Sequence, residues 1–331
     1  MPLSKSNRFK VSKGPVVAIT IGDPFGIGPE IVLKASQELH GLANFLIVGD
    51  KSVLCSLSKS LKIDLRLRPQ DSMFDLNLIE KNKIRFGRMS ALSGRASLTY
   101  VDCAIKLIKE KMVDCLVTAP VSKAAINQAG VKFLGHTEYL AKKFNVKSFA
   151  MMLIGGPLRV ALVTRHIPIN SVSNAITKSE ILDCIDLSHK ALKRYFGVSQ
   201  PKIGVASLNP HGGEEGSIGF EEERIIKPAV REAKAHFKNI VGPISSEALF
   251  YEAYRGKLDC IITMYHDQGL TPLKMIARDK SVNVTLGLPF VRTSPGHGTA
   301  FDIAGKGLAN ADSMIEAIRT AIVMFRKGER I

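Results

Sequence analysis

Short apolar runs rich in β-branched residues alternate with longer segments of helical periodicity along the 331 residues of this chain. This alternation is typical of an α/β protein with a largely parallel sheet, in which helices connect successive strands. Such a chain is too long for one ordinary hydrophobic core, so one or two domains are expected. The apolar runs predict strands at Val16–Ile21, Phe45–Val48, Cys115–Thr118, Arg159–Thr164, Lys202–Leu208, Cys260–Tyr265 and Val282–Leu286. The helical segments are Pro29–Leu39, Ala96–Met112, Lys178–Tyr195, Glu221–Phe237 and Asp312–Phe325.

The composition is that of a globular protein, with 45% hydrophobic and 23% charged residues. No apolar run approaches the roughly 20 residues of a membrane-spanning helix, so no membrane partner is expected. Residues 1–13 predict a solvated basic tail, because the apolar run that follows them is too short for a signal peptide. The five cysteines are scattered and form no CxxC pair, which indicates buried free thiols and a cytoplasmic location.

Lysine and arginine outnumber the acidic residues and give a formal net charge of +16. Such an excess attracts nucleic acid, an acidic surface or an anionic metabolite. Nucleic-acid binding favours clustered basic residues with stacking aromatic side chains. Here the basic residues are spread along the chain, tryptophan is absent and aromatic residues make up 6%. The pattern argues against a nucleic-acid partner.

Three histidines each follow a predicted strand: His166 after PLRVALVTR, His211 after KIGVASLNP and His266 after CIITMY. Neutral imidazole is the commonest protein ligand of zinc-class metals, and three such ligands leave a coordination position open for substrate. The ends of strands are also where the sites of α/β proteins assemble. Each histidine alone is explained by an ordinary polar residue at a strand end, but three in one setting make a divalent-metal site an equal alternative.

The segment GDPFGIGPE, residues 22–30, follows the first strand and opens a helix. Exposed amides at such a junction can hold an anion, and a tight glycine-dependent turn explains the same residues equally well. Ile31 replaces the third glycine of a G-x-G-x-x-G fingerprint, so any dinucleotide is bound in another way. In a second motif, GHTEYLA, helix capping explains Thr137 but leaves His136 unexplained.

Charged and polar residues gather in the sequence after His266, at Asp267, Lys274, Asn283 and Arg292. Arginine binds phosphate or carboxylate with two parallel hydrogen bonds, whereas lysine acts as a point charge. Each of these residues alone is more often part of the surface. Further along, SPGHGTAFDIAGKGLAN (294–310) is either a glycine-rich connecting loop or a ligand-binding segment. It resembles the segment that helps isocitrate and isopropylmalate dehydrogenases to hold NAD without a Rossmann fold.

Seven motifs in chain order resemble those of the 4-hydroxythreonine-4-phosphate dehydrogenase family of pyridoxal phosphate biosynthesis. They are GDPFGIGPE, TAPVSKAAI, GHTEYLA, RVALVTRHIP, LNPHGGEEG, YHDQGLTPLK and GLPFVRTSPGHGTAFDIAGKG. The resemblance implies a two-domain α/β fold like that of isocitrate and isopropylmalate dehydrogenases, with the active site in the interdomain cleft at a homodimer interface. It implies an NAD-binding domain of residues 14–130 plus 287–331, and a metal, substrate and dimerisation domain of residues 131–286.

The same resemblance assigns residues to ligands. Three family histidines bind a divalent metal, and the matching positions are His166, His211 and His266. The substrate contacts that carry over are His136, Thr137, Lys274, Asn283 and Arg292. Gly296, Gly298 and Asp302 of the glycine-rich segment are expected at the cofactor, which is NAD with NADP left open. Zinc, cobalt, magnesium and manganese all stay open as the metal.

Three positions depart from the family pattern. Phe25 replaces an alanine and is expected to narrow the glycine loop. Arg165 replaces a threonine and is expected to add a charge beside the metal site, and Glu247 replaces an aspartate. These departures leave the exact substrate open.

The implied reaction is oxidation of the C3 alcohol of 4-phosphooxy-L-threonine by NAD, followed by decarboxylation to 3-amino-2-oxopropyl phosphate. A metal on three imidazoles lowers the pKa of the bound alcohol and stabilises the enolate. Asp267 and Lys274 are both candidates for the base, and Lys274, Arg292 and His136 are expected to neutralise the phosphate and carboxylate of the substrate.

Three alternatives stay open at this point. The nearest is oxidation of 4-phospho-D-threonate or 4-phospho-D-erythronate by the same kind of site. A metal-dependent phosphohydrolase built on the histidines and Asp267 leaves residues 294–310 unexplained. A basic binding module without catalysis leaves the histidines unexplained.

Overall fold

The computed structural model describes residues 14–39, 41–65 and 71–329, so the predicted tail of residues 1–13 lies outside the described residues. Its strands are β1 (Val16–Thr20), β2 (Asn44–Gly49), β3 (Ser72–Asp75), β4 (Cys115–Thr118), β5 (Ala150–Gly155), β6 (Leu158–Leu162), β7 (Ile203–Ala206), β8 (Ile240–Ile244), β9 (Cys260–Thr263), β10 (Val282–Leu286) and β11 (Val291–Pro295). Its α-helices are α1 (Gly28–Glu38), α2 (Lys51–Leu61), α3 (Ala91–Lys109), α4 (Lys123–Gln128), α5 (His136–Lys143), α6 (Val172–Ala175), α7 (Lys178–Phe196), α8 (Lys227–His236), α9 (Ser246–Tyr254), α10 (His266–Ala277) and α11 (Asp312–Gly328).

The described residues divide into two compact units: those from 14 to 144 together with 289–326, and those from 145 to 288 together with 327–329. The first boundary therefore follows α5, fourteen residues beyond the predicted position at 130. The reason is that α5 is tied to α3 of the first unit. The Tyr139 hydroxyl donates to Oδ1 of Asp102 at 2.7 Å, and Lys143 forms an ion pair with the same carboxylate at 3.1 Å.

The first unit contains a parallel sheet in the order β3-β2-β1-β4-β11. All six residues of β2 are buried, as expected for a strand of a parallel sheet that is covered on both faces. Continuous apolar runs rather than alternating ones therefore mark these strands in the sequence. Helix α3 packs against β1, β2 and β4.

The second unit contains a mixed sheet in the order β10-β5-β6-β9-β7-β8. Strand β5 is antiparallel to β10 and β6, whereas the pairs β6–β9, β9–β7 and β7–β8 are parallel. Helix α10 covers β5 and β6, where Leu270 and Leu273 join the buried core side chains of Leu158, Val160 and Leu162. This packing fixes α10, whose first turn carries His266 and Asp267.

Within the described residues, no helix is both long and apolar enough to span a membrane. All five cysteines are free, and those at positions 115, 184 and 260 are buried. The prediction of buried free thiols is confirmed for these three.

Candidate active site

The strands that precede the three histidines are neighbours in the sheet of the second unit. They lie in the order β6, β9, β7 and run parallel to one another. The carboxyl ends of parallel strands meet at one edge of a sheet. The chain therefore continues toward His166, His266 and His211 from the same edge.

Hydrogen bonds beyond the ends of β6 and β9 hold the first two histidines close together. The Thr164 amide donates to the Met264 carbonyl at 3.1 Å, and the Thr164 hydroxyl donates to the same oxygen at 2.6 Å. The ring centroids of His166 and His266 lie 5.5 Å apart. Two imidazoles bound to one tetrahedral ion have centroids roughly 5 Å apart, because each metal–nitrogen bond measures about 2 Å. This pair fits a shared metal ion.

His266 is the first residue of α10, and its Nδ1 atom lies 2.7 Å from Oδ1 of Asp267. A proton on Nδ1 is donated to this carboxylate, which leaves Nε2 as the metal-binding atom of the ring. The Asp267 side chain is 79% exposed. Asp267, one of the two predicted candidates for the base, therefore contacts His266, a candidate metal ligand.

Gln268 connects the end of β9 to the end of β7. Its Oε1 atom accepts from the Met264 amide at 2.7 Å. Its Nε2 atom donates to the Ser207 carbonyl at 2.6 Å and to the Ser246 hydroxyl at 2.8 Å. One side chain therefore links the two strand ends that lead to His266 and His211.

His211 lies in a left-handed turn within Pro210–Gly216. The φ angles of residues 211 to 215 are 53°, 67°, 78°, 41° and 54°. Left-handed backbone costs a non-glycine residue about 1–2 kcal/mol, and three of these five residues are not glycine. Backbone strain of this kind persists only where neighbouring contacts impose it.

The contacts that impose the turn come from Glu222, which is fully buried. Its Oε1 accepts from the amides of Leu208 and Asn209 at 2.7 and 2.8 Å, and its Oε2 accepts from the Asn209 side chain at 2.8 Å. A Cβ atom on Gly213 would lie 2.7 Å from the same Oε2, and Gly213 has a φ of 78°. Glycine is therefore required at that position.

Among residues 14–39, 41–65 and 71–329 of a single chain, no three histidine, cysteine, aspartate or glutamate side chains form a group that could hold a metal ion. His166 and His266 come together, and His211 lies on the same sheet edge outside such a group. The three-histidine metal site stays a prediction.

Two of the expected substrate contacts, Lys274 and Asn283, also belong to the second unit. Lys274 is exposed and lies on α10 seven residues after Asp267, so the two share one face of the helix. Asn283 lies on β10, paired with Leu153 of β5. Its Oδ1 atom is buried and has no hydrogen-bond partner among the described residues. Because an unsatisfied buried acceptor is costly, this oxygen is suited to a ligand that donates a hydrogen bond.

The other expected substrate contacts belong to the first unit, where Arg292 lies on β11 and is only 2% exposed. Its Nη2 atom donates to the Thr118 hydroxyl on the neighbouring strand β4 at 2.6 Å. Burial lowers the pKa of Arg292 to about 9, although the Glu138 carboxylate acts in the opposite direction. The guanidinium is therefore still charged at neutral pH and provides a buried cation.

Helix α5 begins at His136, and its N-cap residue is Gly135, so no side chain caps the helix. The capping explanation of Thr137 is therefore wrong, since Thr137 occupies the second helical position. Nε2 of His136 is buried without a hydrogen-bond partner among the described residues. Burial, followed by the charges of Arg292 and Lys123, lowers the pKa of His136 well below its usual value. His136 is thus neutral, and it can donate or accept a hydrogen bond but does not neutralise an anion.

The glycine loop of residues 22–30 is buried throughout. The Asp23 amide donates to the Pro120 carbonyl at 2.8 Å, and the Ile27 amide donates to the Thr299 carbonyl at 2.9 Å. Gly22 has a φ of 71°, and a Cβ atom there would lie 2.3 Å from the Pro120 carbonyl oxygen. The tight glycine-dependent turn is therefore present, with the amides of Asp23 and Ile27 already paired, whereas an anion site at the amides that open α1 stays a prediction.

The glycine-rich segment 294–310 is fixed to α1 by a buried ion pair. Oε1 of Glu30 accepts from the Ala309 amide at 2.9 Å. The Lys34 ammonium bonds to the same carboxylate oxygen at 2.8 Å and to the carbonyls of Gly307 and Ala309 at 2.9 and 2.7 Å. The role of this segment in binding NAD stays a prediction, but its attachment to the core is defined.

The three residues expected to contact NAD differ in their hydrogen bonding and exposure. The Gly296 amide donates to the Ser313 hydroxyl at 3.0 Å, whereas Gly298 and Asp302 are exposed. A Cβ atom on Gly298 would meet no atom within 4 Å. Neither packing nor a left-handed backbone requires glycine there, which leaves room for the close approach of a ligand.

The three departures from the family pattern have distinct surroundings. Phe25 is 2% exposed and fills the interior, so it does not narrow an open loop as expected. The Arg165 guanidinium lies over the ring of Phe149 at 4.8 Å. The Ser245 hydroxyl and a backbone amide lower the pKa of Glu247, with a smaller contribution from His211.

The sequence assigned no role to Thr118, Lys123 and Glu222. Thr118 and Lys123 lie within the TAPVSKAAI motif, so only the motif match indicates them. Glu222 acts through Asn209, 13 positions away, and Gln268, which follows His266 and Asp267 in the sequence, acts through Ser207, 61 positions away. No local sequence pattern marks such contacts.

Comparison with known proteins gives the family. Residues 41–321 match the family model of the pyridoxal phosphate biosynthetic protein PdxA. The 4-hydroxythreonine-4-phosphate dehydrogenase of Sulfurihydrogenibium sp. is 42% identical over 94% of this chain and 98% of its own. The D-threonate 4-phosphate dehydrogenase of Cupriavidus necator is 40% identical over 92% of this chain and 96% of its own.

The solved structures lead to the same family. The crystal structure of 4-hydroxythreonine-4-phosphate dehydrogenase from Klebsiella pneumoniae superposes with a TM-score of 0.84 at 35% identity, covering 95% of this chain and 99% of that one. This similarity confirms the predicted α/β architecture with a largely parallel sheet. The chain therefore belongs to the PdxA family of pyridoxal phosphate biosynthetic proteins.

Proposed function

We propose that this protein catalyses the NAD-dependent oxidation and decarboxylation of 4-phosphooxy-L-threonine to 3-amino-2-oxopropyl phosphate, a step in pyridoxal 5′-phosphate synthesis. The observation that carries the proposal is the pairing of His166 and His266 at the sheet edge that also leads to His211. The name of the Sulfurihydrogenibium relative supports the choice of substrate.

The implied metal and NAD have distinct tasks. His166, His211 and His266 would hold a divalent metal, which would supply a Lewis acid for an oxygen of the substrate. Gly296, Gly298 and Asp302 of residues 294–310 would hold NAD, which would supply the hydride acceptor. All other tasks fall to protein side chains.

In the second unit, Asp267 holds the proton on Nδ1 of His266 and thereby orients that ring. Lys274 lies two helical turns away on the same face of α10 and is assigned to the charged end of the substrate. Both side chains stay candidates for the base that takes the hydroxyl proton. The buried Oδ1 of Asn283 is assigned to accept a hydrogen bond from the substrate.

In the first unit, Arg292 supplies the buried positive charge, and the start of α5 supplies amides that no side chain caps. The positive end of a helix dipole favours an anion at that position. We assign Arg292, His136 and Thr137 to an anionic group of a substrate.

A homodimer is part of the proposal. Among the described residues of one chain, the rings of His166 and His266 lie together and His211 lies outside that pair, so we infer that a second copy completes the metal site. Exposed apolar side chains of the second unit supply contact area, since Tyr251 and Tyr254 on α9 are 59% and 57% exposed and Met275 on α10 is 76% exposed.

A second substrate is supported by a specific observation. The D-threonate 4-phosphate dehydrogenase of Cupriavidus necator is nearly as similar to this chain as the Sulfurihydrogenibium enzyme, at 40% against 42% identity. The same metal and NAD chemistry would act on 4-phospho-D-threonate. The difference would lie in the contacts to the substrate.

One set of assays tests the proposal. Formation of NADH is followed with 4-phosphooxy-L-threonine, 4-phospho-D-threonate and 4-phospho-D-erythronate, each with added divalent metal and with chelator. The proposal expects the highest kcat/KM with 4-phosphooxy-L-threonine, together with carbon dioxide release and loss of turnover in chelator. A higher kcat/KM with 4-phospho-D-threonate or 4-phospho-D-erythronate would show that a D-substrate, and not 4-phosphooxy-L-threonine, is the preferred substrate. Phosphate release without NADH would identify a hydrolase instead, and silence with all three substrates would favour a binding protein.

A further inference from the structure

The ammonium group of Lys123 lies at the start of α5, next to the residues assigned to substrate. Its Nζ atom is 3.8 Å, and its Cε atom 3.7 Å, from the position that a Cβ atom on Gly135 would occupy. Gly135 is the N-cap of α5 and immediately precedes His136. Lys123 itself opens α4, directly after the N-cap Ser122. Two short helices thus begin beside each other with a lysine between them.

The Lys123 side chain is exposed to solvent, and its position is mildly unfavourable electrostatically in the protein alone. A cation at the first position of a helix lies against the positive end of the peptide dipoles. A second cation, Arg292, lies close enough that both charges lower the pKa of His136. Lys123 forms no hydrogen bond or ion pair within the described part of the chain. A lysine at the first position of a helix goes against the usual preference for acidic residues there, and such exceptions occur mainly at functional sites.

One acidic group faces the same point. Oε2 of Glu138 lies 2.8 Å from the position of a Cβ atom on Gly135, and the Glu138 charge raises the pKa of Arg292. Glu138 therefore offsets one of the two cations. His136 contributes no charge, because its pKa is well below its usual value.

The balance of charge selects the anion. Two cations, one carboxylate and the positive end of α5 leave a net charge of about +1.5, since a helix N-terminus is equivalent to about half a charge, and the start of the shorter helix α4 adds to it. A phosphate monoester carries about −1.5 to −2 charges at neutral pH, whereas a carboxylate carries one. The phosphate group matches this site more closely.

We propose that Lys123 is a substrate-binding residue and that it contacts the phosphate group, together with Arg292 and the first amides of α5. The identity of the phosphorylated substrate rests on the proposed function. The binding of a phosphate group at Lys123 does not, and it can be measured without turnover.

The binding test uses inorganic phosphate and the full chain in the presence of chelator. Isothermal titration calorimetry compares the wild type with Lys123→Met, Lys123→Arg and the control Lys132→Met, which removes an exposed lysine of the α4–α5 loop. Loss of a hydrogen bond to a charged group corresponds to about 10- to 100-fold in affinity. We expect that loss for Lys123→Met, partial recovery for Lys123→Arg and wild-type affinity for Lys132→Met. Equal affinity of Lys123→Met and Lys132→Met would overturn the proposal.

The kinetic test separates substrate from cofactor. Lys123→Met is expected to raise the KM of the phosphorylated substrate about 10-fold or more, with the KM of NAD unchanged and a thermal midpoint equal to that of Lys132→Met. A raised KM with unchanged affinity for phosphate would place another group of the substrate at Lys123 and overturn the phosphate assignment. If the wild type turned over none of the three substrates while Lys123→Met lost phosphate affinity, the proposed function would fail and the Lys123 site would stand.

Discussion

In the first turn of α10, Nδ1 of His266 lies 2.7 Å from Oδ1 of the adjacent Asp267. The contact of an exposed aspartate with a histidine stabilises the fold little in water. The effect of Asp267 is therefore to orient the ring of His266. With the proton held on Nδ1, the lone pair of Nε2 is available to a metal. A partner of this kind commonly changes metal affinity by about 10- to 100-fold.

Asp267→Ala should therefore weaken the binding of zinc or cobalt about 10- to 100-fold. Asp267→Asn should have a smaller effect, because its side-chain oxygen still accepts the hydrogen bond from Nδ1. Calorimetric titration of metal into chelator-stripped protein measures both, with Asp279→Ala as an exposed acidic control. Unchanged metal affinity in Asp267→Ala would show that the hydrogen bond does not serve metal binding.

Glu222 should dominate the stability of the loop that carries His211. Glu222→Ala leaves the partly buried amides of Leu208 and Asn209 without acceptors, and each such loss costs about 1–3 kcal/mol. We expect the free energy of unfolding in urea, followed by circular dichroism, to fall by about 2–4 kcal/mol. The adjacent Glu223→Ala is the control, because Glu223 is exposed and its ion pair with Lys227 within the same helix is worth about 0.3–0.5 kcal/mol. Similar losses in the two variants would contradict the role given to Glu222.

Lys34 should control the attachment of the glycine-rich segment. Lys34→Met removes bonds to the carbonyls of Gly307 and Ala309 and leaves the buried Glu30 carboxylate without its cation. Breaking a buried ion pair lowers the free energy of unfolding by about 3–5 kcal/mol. Because Lys34 is partly exposed, we expect the loss in Lys34→Met to be about 2–3 kcal/mol. If the segment binds NAD, the KM of NAD rises and the KM of the phosphorylated substrate does not. Lys59→Met, on the exposed part of α2, controls for loss of a surface charge, and an unchanged KM of NAD would separate the segment from the cofactor.

Asp23 should make stability depend on pH. Burial raises its pKa from 3.8 to about 6, although hydrogen bonds from the Phe25 amide and the Ser93 hydroxyl act in the opposite direction. Between these two values the folded protein binds more protons than the unfolded chain, so stability contributed by Asp23 is lost as the pH rises from about 4 to about 6. Well above pH 6, Asp23 is ionised in both the folded and the unfolded protein, and its contribution to the pH dependence of stability ends.

Asp23→Asn removes this titration and keeps an oxygen that accepts from the Phe25 amide. The free energy of unfolding of the variant relative to wild type should rise by roughly 2–2.5 kcal/mol between pH 4 and pH 7. Urea unfolding at four pH values measures the difference, with the exposed Asp183→Asn as control. Parallel pH profiles of Asp23→Asn and wild type would exclude this account of the glycine loop.

Most strands with continuous apolar sequences were predicted, and β4 and β10 have the predicted bounds. Strand β5 was not predicted, although its sequence AMMLIG is apolar throughout. Strand β11 was not predicted, because VRTSP carries a charged residue and ends in proline. Strand β8 contains Gly242 and Pro243, which seldom occupy strands. The predicted helix Glu221–Phe237 is present as a π-helical turn at Glu222–Ile226 followed by α8.

The candidate site was predictable only where a chemical group follows a strand end directly. His166, His211 and His266 satisfy that condition, and parallel pairing places them on one edge. Lys123 and Arg292 are 169 positions apart in the sequence and act on the same histidine. Tertiary packing alone brings Lys123 and Arg292 close to His136, so hydrophobic periodicity and residue propensity could not predict that these residues lie together.

Arg292 provides the sharpest test of the substrate pocket. Its guanidinium already donates to the Thr118 hydroxyl at 2.6 Å from a buried position, so its remaining donors are held in a fixed orientation. Arg292→Ala should raise the KM of the phosphorylated substrate about 100-fold and change the KM of NAD little, because a buried charge-assisted bond is worth about 1.5–3 kcal/mol.

Arg292→Lys keeps the charge but not the forked geometry, so it should recover only part of the loss. Thr118→Val separates orientation from charge. It leaves the guanidinium in place without its acceptor and should raise the same KM by a smaller factor than Arg292→Ala. Equal increases in the KM of substrate and of NAD for Arg292→Ala would place Arg292 outside the substrate pocket, and wild-type kinetics in Thr118→Val would show that the hydrogen bond to β4 does not orient it.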